Sequence, residues 1–189
     1  VLLPNDGQTN PVDTTLAYAK GARSRGVRVV EGVAVDDILV EHGRAVGVRT
    51  AAGDVRADVV VNCAGMWGRA LADRVGAVVP LHAAEHFYVV TEAIEGLDPS
   101  MPVLRDLDAC SYFKEDVGKL LVGWFEPVAK PWGAGGVPEG FAFGTLPPDL
   151  DHIEPLLEAA TERMPVLANA GIRVFFNGPE SFTPDDRYL

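Results

Sequence analysis

Two short stretches carry side chains suited to handling a proton beside a small polar ligand. In AEHFYVVTE (84–92) an extended chain places His86, Tyr88 and Val90 on one face and Phe87, Val89 and Thr91 on the other. A histidine in that place can hold a substrate proton, and it can equally serve as a hydrogen-bonded core or rim group. CSYFKED (110–116) reads as a second strand of the same sheet, with Tyr112 either reaching a ligand through its hydroxyl or packing with the hydroxyl at the surface. Arg105, in PVLRD, and Lys114 are candidates for a substrate carboxylate or for solvated ion pairs.

Two glycine-bearing stretches suit a cofactor. ADVVVNCAGMWGR (57–69) runs from a strand-like apolar segment through small residues into a helix start. Small residues let a phosphate or ribose approach backbone N–H groups, and a helix N-terminus adds a favourable partial charge. The spacing Gly65-x-x-Gly68 is only part of the G-x-G-x-x-G pattern, and an ordinary strand-to-helix turn has the same composition. FFNGPESFTPDD, with Gly178, Pro179 and Pro184, suits close approach to a flat ligand or an ordinary strand and turn.

The surrounding elements must position these groups. NPVDTTLAYAKGARSRG (10–26) has a capping Asn10, Pro11 at the first helical position, apolar Val12, Leu16 and Ala19, and a stop at Gly26. It predicts a helix of about four turns. VRVVEG (27–32) follows as a strand, which suggests part of a βαβ unit. Residues 33–62 read as a meander with turns at His42-Gly43 and Ala52-Gly53, leading into a buried strand at Val59 to Val61. Trp67, Leu71 and Val75 have helical spacing. Segments 80–93, 110–127 and 171–182 are rich in aromatic and β-branched residues, with a turn at Asp116 to Gly118, and predict an antiparallel sheet. Lys130 to His152 is a Gly- and Pro-rich surface connection, and IEPLLEAATERM is a helix closing before Pro165.

Composition bounds the partners. The 189 residues, 48% hydrophobic and 23% charged, are those of a folded globular chain. With 16 basic against 27 acidic side chains the net charge is −11, which repels nucleic-acid phosphates and anionic membranes. Cys63 and Cys110, the two cysteines, form no C-x-x-C pair. They read as buried reduced thiols, with mutual pairing left open. A reducing compartment follows, cytoplasmic or, in a eukaryote, the mitochondrial matrix. The start at Val1 and the end directly after a strand and turn suggest a chain cut from a longer protein.

Taken together, PNDG…NPVDTT…AKGARSRGV, VVNCAGMWGR, EHFYVVTE…PVLRD…SY and NGPESFTPD resemble, in that order, the middle of the flavin-dependent dimethylglycine and sarcosine dehydrogenases. These belong to the D-amino-acid-oxidase-like oxidoreductases. The resemblance implies an α/β plus α+β chain: a partial glutathione-reductase-like FAD-binding domain (1–79 and 166–189) interleaved with an antiparallel-sheet substrate domain (80–165). It implies FAD contacts at Val35, along Cys63, Ala64, Gly65 and Trp67, and beside the isoalloxazine at Gly178 and Pro179. His86 and Tyr112 would face the amine of a small-molecule N-methyl amino acid.

The implied reaction is oxidative demethylation, with the resulting iminium hydrolysed or passed to folate in a further domain. One branch of the family implies an alternative, a non-catalytic subunit that regulates a phosphatase. The family's N-terminal G-x-G-x-x-G unit, its flavin-attaching histidine and its C-terminal glycine motif have no counterpart in these residues. The expectation is therefore weak FAD binding, no activity in isolation and self-association through an uncovered sheet edge.

Overall fold

The Oδ1 of Asn10 accepts hydrogen bonds from the N–H groups of Val12 at 2.9 Å and Asp13 at 3.1 Å, and Pro11 brings no donor that needs one. Helix α1 (Pro11–Ser24) starts there, as its cap signals predict. The computed structural model describes residues 1–185 and 187, and divides into two compact units, Val1–Val79 and the chain from Pro80 onward.

In the first unit the two glycine turns close a three-stranded antiparallel sheet of β1 (Val35–Glu41), β2 (Arg44–Thr50) and β3 (Gly53–Arg56), in that order. A short 3₁₀ turn, Gly65–Trp67, leads into helix α2 (Gly68–Asp73). Two expected strands do not form. Val27–Val30 and Val59–Val61 lie outside any strand, with Val30 63%, Val59 73% and Val61 76% exposed. Their valine patterning suits a buried strand, but a strand exists only where a neighbour completes its backbone hydrogen bonds. Among the described residues none pairs with either segment.

The second unit is built on β4 (His82–Thr91), with β5 (Leu104–Asp106), β6 (Ser111–Glu115), β7 (Leu120–Trp124), β8 (Pro131–Trp132) and β9 (Ile172–Phe182). The order is β5-β6-β7-β4-β8, and β9 runs antiparallel to β4 from His82↔Phe182 to Thr91↔Ile172. Since β9 occupies one edge of β4 throughout, β7 (at Tyr88 to Val90) and β8 (at Ala83 and Ala84) share the other. Residues 166–189 were expected in the cofactor-binding part. The structure instead keeps the described portion with the sheet, because β9 completes β4 and Leu167 enters the core. Residues 186, 188 and 189 of that expectation lie outside the described residues.

Strand alternation divides the sheet cleanly. Phe87, Val89, Phe113, Leu120, Val122 and Trp124 form one face, packed with Ile153 and Ala160 of helix α3 (Leu150–Arg163). The indole N–H of Trp124 donates to the carbonyl of Leu156 at 3.1 Å, tying helix to sheet. Asp149 caps α3 by accepting from the N–H of His152 and pairs with Lys130. The Gly/Pro connection before it is anchored: Leu146 N–H donates to Asn177 O at 2.7 Å, and Asn177 Nδ2 donates to Pro147 O at 2.9 Å and to Glu85 at 2.7 Å. Among the described residues no helix is long and apolar enough to cross a membrane.

The β6–β7 hairpin turns through Val117 and Gly118, both at positive φ (52° and 78°), which suits the twist of flanking strands. For a β-branched residue that conformation costs about 1–2 kcal/mol. Val117 is 86% exposed, so its side chain recovers little by packing. Val117→Asn is expected to raise stability by about 1 kcal/mol, read from the shift of the urea midpoint at unchanged slope. A lower midpoint contradicts the strain argument.

Candidate functional site

The face of the sheet opposite α3 carries the groups capable of chemistry. Cross-strand pairs place His86 beside Gly178, Tyr88 between Phe176 and Gly123, and Tyr112 between Gly123 and Arg105. The two predicted catalytic residues converge on one aromatic ring: His86 lies 5.4 Å and Tyr112 5.6 Å from Phe125, centroid to centroid. The Arg105 guanidinium carbon is 4.8 Å from the centre of that ring, a cation–π distance.

His86 is bracketed by two carboxylates. Its Nδ1 is 3.5 Å from Glu126 Oε2 and its Nε2 is 3.7 Å from Glu180 Oε2. The His86 and Glu126 side chains are 13% and 4% exposed, whereas that of Glu180 is 53% exposed. At 3.5 Å the Glu126 contact is electrostatic, and neither Nδ1 nor Glu126 Oε1 has a hydrogen-bond partner. Burial opposes the charged imidazolium, but contact with Glu126, and more weakly the charge of Glu180, outweighs it and raises the His86 pKa above its ordinary 6.5.

Tyr112 is held as the neutral phenol. Burial raises its pKa, with Glu180, Tyr88 and Glu126 adding to the effect and Arg105 opposing it. Its ring lies across the backbone of β7: an ideal Cβ on Gly123 would fall 2.2 Å from both Cζ and the hydroxyl oxygen. The missing side chain at 123 is therefore what lets the tyrosine lie flat and reach toward β4.

Of the residues expected to meet a cofactor, Gly178 is buried in the β4–β9 ladder, and the ring of Phe176 fills the space above it. Pro179 follows opposite Glu85. Val35, Cys63, Ala64, Gly65 and Trp67 belong to the first unit. There Asn62 clips the loop, accepting from Ala64 N–H at 3.2 Å and donating to Gly68 O at 2.9 Å. Gly65 has φ 55° and nothing within 4 Å of where a Cβ would stand, so the backbone there is sterically open. Cys63 is exposed and Cys110 half-buried, and both are free, which corrects the expectation that Cys63 is buried.

Phe125, Glu126, Gly123 and Glu180 were not singled out by their residue types. Alternation along β9 places Glu180 on the face of Gly178, but its approach to His86 depends on strand register that sequence patterning leaves open.

The same fold, an antiparallel sheet backed by one helix in one unit and a helix and meander in the other, occurs in solved structures. L-proline dehydrogenase from P. horikoshii matches it with a TM-score of 0.77 at 22% identity, over 96% of this chain and 46% of that one. The chain belongs to the FAD dependent oxidoreductase (DAO) family, which it matches over residues 1–189. It is 43% identical over 188 residues to 4-methylaminobutanoate oxidase (formaldehyde-forming) of Paenarthrobacter nicotinovorans, covering 100% of this chain and 23% of that protein. It is 41% identical over 192 residues to the mitochondrial sarcosine dehydrogenase of Homo sapiens, covering 99% of this chain and 21% of that protein. The chain thus spans less than a quarter of the length of these relatives.

Two outcomes follow. A histidine whose folded pKa is raised stabilises the fold below its unfolded value, and that contribution fades as pH rises through the folded value. The stability gap between wild type and His86→Gln is therefore expected to be widest below pH 6.5 and to shrink above it. Urea titrations across pH check this, and a gap that widens with pH overturns it. Gly123→Ala must displace the Tyr112 ring, costing about 1–3 kcal/mol by overpacking and returning the Tyr112 titration toward the ordinary tyrosine value. Ultraviolet titration against Tyr112→Phe reads the second effect.

Proposed function

We propose that this chain supplies the substrate-facing sheet and part of the cofactor site of a flavin-dependent oxidoreductase that oxidises N-methyl amino acids such as sarcosine or dimethylglycine. In this reading the first unit is part of a glutathione-reductase-like FAD-binding domain and the antiparallel sheet belongs to the substrate domain. The observation that carries it is the grouping of His86, Tyr112 and Arg105 around Phe125 on the open face of the sheet. The names of the relatives supply the substrate class.

FAD, when bound, would supply the hydride acceptor for the N-methyl carbon. Departure of the hydride requires a free nitrogen lone pair to stabilise the forming iminium, so the ammonium form of the substrate must first lose a proton. His86, made more basic by its carboxylate neighbours, takes that proton. The Tyr112 hydroxyl, held protonated, orients the amine. Arg105 offers the carboxylate a cationic partner, and Phe125 gives the methyl groups an apolar surface. In the first unit, Val35 and Cys63 to Trp67 are the residues that would hold FAD. Folate capture of the one-carbon product belongs to a further domain, and the chain alone is expected to be inactive.

In the full-length protein, His86→Ala is expected to slow amine-dependent flavin reduction by about 10²–10⁴-fold and to remove the ionisation on the acid side of its pH profile. Stopped-flow bleaching of the flavin measures both. An unchanged rate and profile would remove His86 from the mechanism. A flavin-loaded wild type that no N-methyl amino acid reduces would favour the regulatory role instead.

A further inference from the structure

We propose that Glu126 is the positioning residue for His86, fixing the imidazole through Nδ1 so that Nε2 is presented to the substrate amine. The inference rests on the amine-oxidising reading above and gives its proton acceptor a second component.

Glu126 follows the end of β7, where the chain leaves the sheet between the short pairings of β7 and β8 with β4. Its side chain is 4% exposed, yet His86 is the one cationic partner within ion-pair distance among the described residues. A carboxylate removed from water with so little compensation is a poor stabilising device, since an apolar side chain of similar size would cost less. Two atoms are left uncompensated: His86 Nδ1, 3.5 Å from Glu126 Oε2, and the other carboxylate oxygen, Oε1, are both buried without a hydrogen bond. A proton on Nδ1 satisfies the pair, and an imidazolium satisfies it best.

The second carboxylate differs in kind. Glu180, on β9, lies 3.7 Å from Nε2 on the solvent side and is 53% exposed, so it can swing aside at low cost. Of the other titratable groups on this face, Tyr112 of β6 and Arg105 of β5 meet the Phe125 ring that His86 also meets, and Tyr88 lies on the same strand as His86. A buried carboxylate behind the ring and an exposed one in front leave Nε2 as the accessible atom. In the transfer, the N–H bond of the substrate ammonium breaks, its electron pair stays on nitrogen, and the proton bonds to Nε2. The imidazolium so formed has its charge balanced by Glu126, and no oxidant takes part in this step.

The test reads the His86 imidazole directly. In ¹H–¹⁵N spectra of the chain, wild-type His86 is expected to show an exchange-protected Nδ1–H and to titrate above the ordinary histidine value. Glu126→Gln should lose that protection and titrate at lower pH, and Glu180→Gln should move the titration less. An Nδ1–H that exchanges freely in wild type overturns the proposal without needing any variant to fold. So does a His86 titration that stays in place in Glu126→Gln. In the full-length protein, Glu126→Gln should shift the acid limb of flavin reduction to lower pH and reduce kcat more than it alters KM. If no N-methyl amino acid reduces the wild-type flavin, the functional reading fails, while the imidazole spectra still decide the role of Glu126.

Discussion

The long antiparallel ladder between β4 and β9 is the constraint from which the site follows. It joins segments about ninety residues apart, pairing His86 with Gly178 and Phe87 with Asn177. Because side chains alternate along a strand, a slip of one residue would turn Phe87 and Val89 outward and drive His86 into the layer under α3. The buried apolar row on one face thus fixes which polar groups reach the other. Asn177 locks this register from the side by binding Glu85 of β4 and Pro147 of the covering loop, at 1% exposure.

A second requirement is the divided edge of β4. One continuous partner strand would have covered the backbone beside His86. Two short partners leave an interval in which the chain from Phe125 to Ala129 departs and returns, and Glu126 enters there. Phe125, at the departure, becomes the ring shared by His86, Tyr112 and Arg105. Local irregularity in the sheet and electrostatics at the site have one origin.

Much of this scaffold is written in local residue patterns. Asn10-Pro11 marks the start of α1, alternation in EHFYVVTE separates the two faces of β4, and Asp116 to Gly118 marks a hairpin, because each signal acts within a few residues. The convergence of Glu126 and Glu180 on His86 is illegible by the same logic. It depends on pairings between distant segments, which no window of sequence contains. Val27–Val30 and Val59–Val61 show the converse: their composition is that of strands, but composition does not supply a neighbour. Gly123 reads as an unremarkable residue within LLVGW until the tyrosine opposite is seen to need its space.

The indole of Trp124 has an optical consequence. It is fully buried, hydrogen-bonded through its N–H to a helix carbonyl, and placed one residue before the ring that carries the site. Trp67, at 42% exposure, belongs to the other unit, and Trp132 lies half-buried against Phe141. Emission from Trp124 is therefore blue-shifted and shielded from aqueous quenchers, while Trp67 responds to them. The molecule carries an intrinsic fluorophore that reports separation of α3 from the sheet independently of events in the first unit.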